Sequence, residues 1–159
     1  MNKYVGSVSR RRLLIAVLGL LAVASSVQGA LLARRHYYGG WTYYPSRTYY
    51  YTNYYYYPTT TSTNYRYHYC VHYPTQPRYV YYYNPYSSVY WGRYDCEEKG
   101  YSLLAEKDRK ADLKEIPEKA FPKPGEMPEI PESTDGEKML PIDPTTLPKA
   151  EVPKDIPAK

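Results

Sequence analysis

Apolar and polar positions change rhythm several times along this chain, and each change marks a segment. Leu13–Ala24 is an unbroken apolar run that follows Lys3 and Arg10–Arg12 and leads into small residues at Ser25, Ser26, Gly29 and Ala30. A basic start, a short apolar stretch and a small-residue end predict an export signal over residues 1–30. Ser9-Arg10-Arg11-Arg12-Leu13-Leu14 also has the form of a twin-arginine signal. A third reading is an uncleaved membrane anchor over residues 13–33, which at 21 residues is long enough to span a bilayer. On each reading the arginines hold the N-terminus inside and the rest of the chain lies outside the cytoplasm. The expected locations are secreted, periplasmic or cell-envelope, with a single-pass anchored protein as the alternative.

From residue 31 to 64 no rhythm is sustained. Tyr49–Tyr51 and Tyr54–Tyr57 are runs of one residue, and Thr59–Thr63 is a polar tract. Such runs define neither two faces nor a register, so this stretch reads as a low-complexity, disordered or weakly extended segment. After Asn64 a period of two sets in. Tyr65, Tyr67, Tyr69, Val71 and Tyr73 alternate with Arg66, His68, Cys70 and His72, which predicts a strand with an aromatic face and a solvent-facing polar face. Pro74–Pro77 ends it, Arg78–Tyr83 reads as a second strand, Asn84–Ser88 as a turn and Val89–Tyr94 as a third strand. The expected unit is a small antiparallel meander at about 65–94, within a β segment spanning 65–96.

Tyr101–Glu115 favours helix, with Ser102 as a cap, so a short helix over about 102–115 is expected in a helical segment 97–116. From Pro117 to Lys159 there are 10 prolines, and eight of them follow an apolar residue, as in Ile116-Pro117 and Ile130-Pro131. Proline blocks both helix and inner strand, which predicts an extended, acidic, disordered tail over 117–159. That tail reads as a spacer, or its apolar–Pro pairs as docking points for a partner with aromatic grooves. The fold class expected is therefore a mostly disordered, low-complexity chain holding a small meander, a short helix and an extended Pro-rich tail.

Composition sharpens this picture. Tyr37–Tyr94 holds 22 of the 24 tyrosines, and its only aliphatic residues are Val71, Val80 and Val89, joined by Trp41 and Trp91. A core made here is built from tyrosines, and each buried hydroxyl needs a partner. No Asp or Glu precedes Asp95, so all 16 acidic residues lie in the last 65 positions. Without Lys3 and Arg10–Arg12 the chain has 17 basic against 16 acidic residues. A nucleic-acid partner argued from overall basicity loses its support.

Cys70 and Cys96 are the only cysteines. An even pair in an exported chain suggests a disulfide, although a flat meander puts Cys70 two strands from the third strand, so the chain would have to fold back. His68 and Cys70 make a weaker metal alternative that competes with the same bridge, since His68 and His72 are too far apart on one strand to share an ion. No phosphate loop, nucleophile elbow or paired zinc motif is present, so neither an enzyme nor a cofactor is expected. The expected role is a non-catalytic secreted or envelope protein that self-associates through Tyr and Arg contacts. One alternative is a binding module presenting Tyr79, Tyr81, Tyr83, Tyr90, Trp91 and Arg93 to a glycan or other cell-wall polymer, with Tyr90 and Trp91 on opposite sides. A second alternative is a tyrosine-cross-linked matrix protein, with Tyr49–Tyr51 and Tyr54–Tyr57 as flexible coupling sites. Membrane contact is expected only through an uncleaved N-terminal segment.

One resemblance can be named. An export signal, a Tyr-rich block, Tyr82-Tyr83-Asn84-Pro85 leading to Tyr90-Trp91-Gly92-Arg93-Tyr94, then Gly100-Tyr101-Ser102-Leu103-Leu104-Ala105-Glu106-Lys107, resembles small uncharacterised Tyr-rich secreted proteins of planctomycete-type bacteria. The resemblance implies export and a small β unit, and it carries no activity with it.

Overall fold

A computed structural model describes residues 36–149. The export signal, the alternative anchor and the last ten positions of the expected tail lie outside the described residues. Among the described residues no helix is long and apolar enough to cross a membrane.

Seven antiparallel strands form one sheet, curled into a half-barrel: β1 (His36–Tyr38), β2 (Thr42–Tyr44), β3 (Tyr49–Tyr56), β4 (Arg66–His72), β5 (Tyr79–Asn84), β6 (Val89–Asp95) and β7 (Gly100–Leu103). The spatial order is β1-β3-β4-β5-β6-β7, and β2 pairs with β3 on the side that β1 also occupies. His36 pairs with Tyr56 but Thr42 with Tyr51, so the stretch between β1 and β2 carries one extra residue, a bulge at Gly40 and Trp41 opposite Thr52. Asx turns close the β5–β6 and β6–β7 hairpins. Asn84 Oδ1 accepts the Tyr86 N–H at 2.9 Å, and Asp95 Oδ1 accepts the N–H groups of Glu97 and Glu98 at 2.9 and 3.1 Å.

The expectation of a mostly disordered chain is overturned. The Tyr-rich stretch expected to be low-complexity contains β1, β2 and β3, and β3 is an inner strand paired along both sides. Its register comes from the residues that are not tyrosine. Thr52 lies opposite Cys70, two small residues side by side in the core, and Tyr54 lies opposite His68.

A second correction concerns which face is inside. On β4 the positions His68, Cys70 and His72 are buried, whereas Tyr67 and Tyr69 are only half-buried. The supposed solvent face is the inner face of the sheet. There Tyr54, Tyr56, Cys70, Val80, Tyr82, Trp91, Tyr94 and Tyr101 pack with Ile130, Met139 and Ile142. These last three come from the Pro-rich segment, which is the third correction. Residues 127–147 form a strap over the inner face and supply the aliphatic groups that the tyrosine block lacks.

The expected helix is absent. Its first residues form β7, paired to β6, and the chain continues in single 3-10 turns at Glu106–Asp108, Leu113–Glu115 and Glu118–Ala120. Leu104, Ile116 and the partly buried Leu113, Ala120 and Phe121 anchor this stretch on the outer face. Anchors at irregular intervals suit an extended strap, and tertiary packing overrides the helical propensity of the segment. Between the two straps the chain seals the β7 edge: Tyr101 and Gly125 exchange backbone hydrogen bonds at 2.9 and 2.8 Å, and Ser102 Oγ donates to the Pro122 carbonyl at 2.7 Å.

Proline leaves the extended strap with a single internal bridge, Glu129 to Lys138, so most of its backbone groups need outside partners. Tyrosine hydroxyls provide them. Tyr54 accepts the Leu140 N–H at 3.0 Å, Tyr101 accepts the Ile142 N–H at 3.3 Å, and Tyr38 donates to the Leu140 carbonyl at 2.8 Å. The strap is further held by the Thr134 N–H on the Pro58 carbonyl at 2.8 Å and by His36 beside Asp135 at 3.4 Å.

Candidate functional site

The outer face carries the odd-numbered tyrosines of β3, β4 and β5, and the strap formed by residues 104–121 covers only part of it. What remains open is a nearly continuous layer of rings. Tyr51 meets Tyr69 edge-on at 5.5 Å, Tyr69 meets Tyr67 at 5.4 Å, and Tyr67 meets Tyr55 at 5.9 Å. Within this layer lies a groove of about 320 Å³, with Tyr51, Tyr69, Val71 and Tyr83 on the sheet and Tyr44, Arg47, Tyr49, Tyr90 and Ala111 around them. Tyr44 and Arg47 reach it from β2 and the 3-10 turn Pro45–Arg47, which closes with Thr48 in the left-handed region. Ala111 belongs to the covering strap, fixed there by the Tyr90 N–H on the Lys110 carbonyl at 2.8 Å.

Burial raises the phenols of Tyr49 and Tyr90, and burial with the neighbouring Tyr67 hydroxyl raises that of Tyr69 to about 12. These groups are neutral at physiological pH and both donate and accept hydrogen bonds. The groove thus offers ring faces for packing, neutral hydroxyls for hydrogen bonding and one guanidinium.

Of the residues singled out from sequence, Tyr83 and Tyr90 line the groove. Tyr79, Tyr81 and Arg93 share the outer face but lie under the strap. Arg93 is clamped there: its guanidinium sits 3.9 Å from the Tyr79 ring centroid and 4.0 Å from that of Phe121. Both of its terminal nitrogens donate to the Glu118 carboxylate, Nη1 to Oε2 at 2.8 Å and Nη2 to Oε1. This is a bidentate pair that fixes the strap, and the Arg93 hydrogen bond holds the Glu118 carboxyl below its usual range.

Trp91 is on the opposite face, 1% exposed, stacked on Tyr82 at 5.0 Å. A bulge in β6 arranges this. Tyr82 pairs with Gly92 and Tyr83 with Tyr90, leaving Trp91 as the extra residue. Tyr90 and Arg93, three apart in sequence, therefore share a face. Gly92 is required where β7 passes, because a Cβ would lie 2.8 Å from the Ser102 carbonyl oxygen.

Cys70 and Cys96 are both free thiols. The expected bridge meets a register barrier: Cys70 pairs with Tyr82 of β5, whereas the Cys96 N–H bonds to Arg78, four residues further along. That separation, roughly 13 Å along the strand plus two strand spacings, exceeds the reach of a disulfide. His68 and Cys70 are buried side chains in the core. His68 Nε2 contacts the Tyr56 hydroxyl at 3.2 Å, and burial lowers the imidazole from the usual 6.5 to about 3. Among the described residues no group of three His, Cys, Asp or Glu side chains is placed to hold a metal ion.

The groove residues that sequence reasoning passed over are Tyr44, Arg47, Tyr49, Tyr51, Tyr69, Val71 and Ala111. A usable signal existed for four of them, since Tyr69 and Val71 lie on the aromatic face that the alternation at Tyr65–Tyr73 predicts. Tyr49 and Tyr51 have the same odd parity as Tyr69 and Tyr83, but a run of three tyrosines hides parity. Comparison with protein-family models, with curated proteins and with solved structures gives no match.

Proposed function

We propose that this chain is a non-catalytic, exported binding module whose outer tyrosine face holds a glycan or related cell-envelope polymer. The groove of Tyr51, Tyr69 and Tyr83 with Tyr44, Tyr49 and Tyr90 beside them carries the reading. Sugar rings present flat C–H faces bordered by hydroxyls, and phenol faces bordered by neutral hydroxyls complement both. Arg47 at the rim favours a glycan bearing carboxylate or sulfate groups. Rings already held by neighbouring rings lose little freedom on binding, which favours affinity.

The test is binding of the purified chain to a panel of neutral and acidic polysaccharides and peptidoglycan, by co-sedimentation and calorimetry. Tyr51→Ala and Tyr83→Ala, both at half-buried positions, are each expected to weaken binding by about tenfold, the loss of roughly 1–2 kcal/mol typical of an aromatic anchor. Undiminished binding in the double variant, or binding to no polymer in the panel, sinks the proposal.

Self-association is a second reading, and it is favoured by the β1 and β2 edge, where Tyr37 and Tyr44 are exposed. Its electrostatic motive is weaker than the block arrangement of charges suggests. Arg78 is bound within the chain to Asp95, Glu97 and Glu98, and Arg93 to Glu118. A sedimentation series that stays monomeric over a wide concentration range retires this reading.

A further inference from the structure

Four tyrosines gather at the end of the outer face away from the groove: Tyr37 on β1, Tyr55 on β3, and Tyr57 and Tyr65 at the two ends of the loop joining β3 to β4. Tyr57 and Tyr65 stand one step beyond the Tyr56–Arg66 pair of that hairpin. Their rings stack with centroids 4.1 Å apart and planes 17° from parallel. No other described tyrosine pair is so close. Tyr37 and Tyr55 stack at 4.7 Å, and the remaining stacked tyrosine pairs, Tyr69–Tyr83 and Tyr82–Tyr101, are separated by 6.4 and 6.1 Å.

Access and competition point to the same place. Tyr65 is 38% exposed and touches both Tyr37 and Tyr55, so an oxidant that reaches any of these rings acts on a connected cluster. The groups that would intercept a radical face the other way: Trp41, Trp91, Cys70, Cys96, Met127 and Met139 all pack on the inner face. The loop between the two rings is Pro-Thr-Thr-Thr-Ser-Thr-Asn, which contributes no oxidisable side chain.

We propose that Tyr57 and Tyr65 form an oxidative coupling site that closes the β3–β4 hairpin with an intramolecular dityrosine. The oxidant is hydrogen peroxide used by a heme peroxidase. Each phenol gives up one hydrogen atom from its O–H, and one peroxide molecule takes both and becomes two waters. The two phenoxyl radicals then join through a new bond between ortho carbons. The hydrogen left on each joined carbon moves to the phenolic oxygen and restores the ring. The product has lost two hydrogen atoms in total. A parallel stack at van der Waals distance brings ortho carbons into contact with little ring motion, which an edge-on pair does not do.

The experiment treats the purified full-length chain, at low concentration, with a heme peroxidase and peroxide, then isolates the monomer under denaturing conditions. Dityrosine fluorescence is measured and the cross-linked peptides are identified by mass spectrometry. The expected result is a linked pair joining Tyr57 to Tyr65, with the monomer signal lost in Tyr57→Phe and Tyr65→Phe and retained in Tyr55→Phe and Tyr86→Phe. Thermal melts check that each variant folds, and if a Phe variant does not, the mapping in the unsubstituted chain decides. Coupling that persists in Tyr65→Phe, that maps to Tyr37–Tyr55, that occurs only between chains or that does not occur overturns the proposal.

Discussion

Ile130→Ala separates a strap that is part of the core from a tail that is a spacer. Ile130 is 1% exposed and packs on the inner face with the cluster around Tyr54, Cys70 and Tyr82. Truncation to alanine removes three carbons. At about 0.8 kcal/mol per buried methylene the transfer loss is about 2.4 kcal/mol. Incomplete collapse around the site adds a cavity contribution and brings the expected cost to about 3–4 kcal/mol, inside the range of roughly 2–5 seen for such truncations. A domain of this size has a stability on the order of 5–15 kcal/mol, so the effect is a large fraction of the whole. Urea unfolding followed by the fluorescence of buried Trp91 measures it as a lowered midpoint with an unchanged slope. Leu140→Ala is the matched control, because Leu140 follows the same apolar–Pro pattern but is 36% exposed, and it is expected to cost less than about 1 kcal/mol. If Ile130→Ala shifts stability by no more than its control, the strap is not holding the sheet and Ile130 is not part of the core.

Three further outcomes are expected. Gly92→Ala drives a Cβ against the Ser102 carbonyl at 2.8 Å and should cost roughly 1–3 kcal/mol in the same urea assay, as over-packing of a fixed backbone does. Tyr54→Phe leaves the Leu140 N–H without its partner and should cost about 1–2 kcal/mol, while Tyr67→Phe on the outer face should change stability by less than about 0.5. Burial holds His68 neutral, with a folded value of about 3 against 6.5 when unfolded, so the unfolded chain binds the extra proton in that window. The His68 contribution is therefore fully present well above pH 6.5 and is lost as pH drops toward 3, by about 2 kcal/mol between pH 7.5 and pH 5. Burial lowers His72 as well and acts in the same direction, so His68→Gln should reduce the slope of that stretch without removing it.

Strands were legible where period two was uninterrupted and turn residues bounded it. The alternation at Tyr65–Tyr73 marks β4, and Asn84-Pro85 marks the turn between β5 and β6. Polarity misled in assigning the inside, because a β strand shows two faces but not which of them a distant segment will cover. His68 and His72 are polar and Cys70 is small, yet all three are buried, and Cys70 packs in one cluster with Ile130 and Met139, a long-range choice. Runs hid β3 for a different reason. Tyr49–Tyr51 and Tyr54–Tyr57 look the same in either register, and Thr52 opposite Cys70 becomes informative only once the partner strand is known. Site residues were half legible for the same cause: Tyr83 and Tyr90 sit on strands with clear parity, whereas Tyr44, Arg47 and Ala111 enter the groove from a three-residue strand, a turn and a strap that no periodicity marks.

The chain's preference for tyrosine over phenylalanine follows from what covers the sheet. A Pro-rich strap satisfies little of its own backbone, and an inner face of phenylalanine would deprive the N–H groups of Leu140 and Ile142 and the carbonyl of Leu140 of their partners, at roughly 1–3 kcal/mol for a buried group such as the Ile142 N–H. A phenol places its hydroxyl at the far end of a rigid ring, at the height above the sheet where the strap runs, and Tyr38, Tyr54 and Tyr101 meet the strap there. The hydroxyl is also sheltered from ionisation, since burial raises the phenols of Tyr38, Tyr54 and Tyr101. On the outer face the same residue type faces a different neighbour. Tyr55, Tyr65 and Tyr67 are half-buried or exposed and pack ring against ring, Tyr55 on both Tyr65 and Tyr67, and the Tyr55 hydroxyl accepts a hydrogen bond from Asn53 Nδ2 at 2.8 Å. One residue type thus serves as core on one side of the sheet and as surface on the other, and the straps alone decide which.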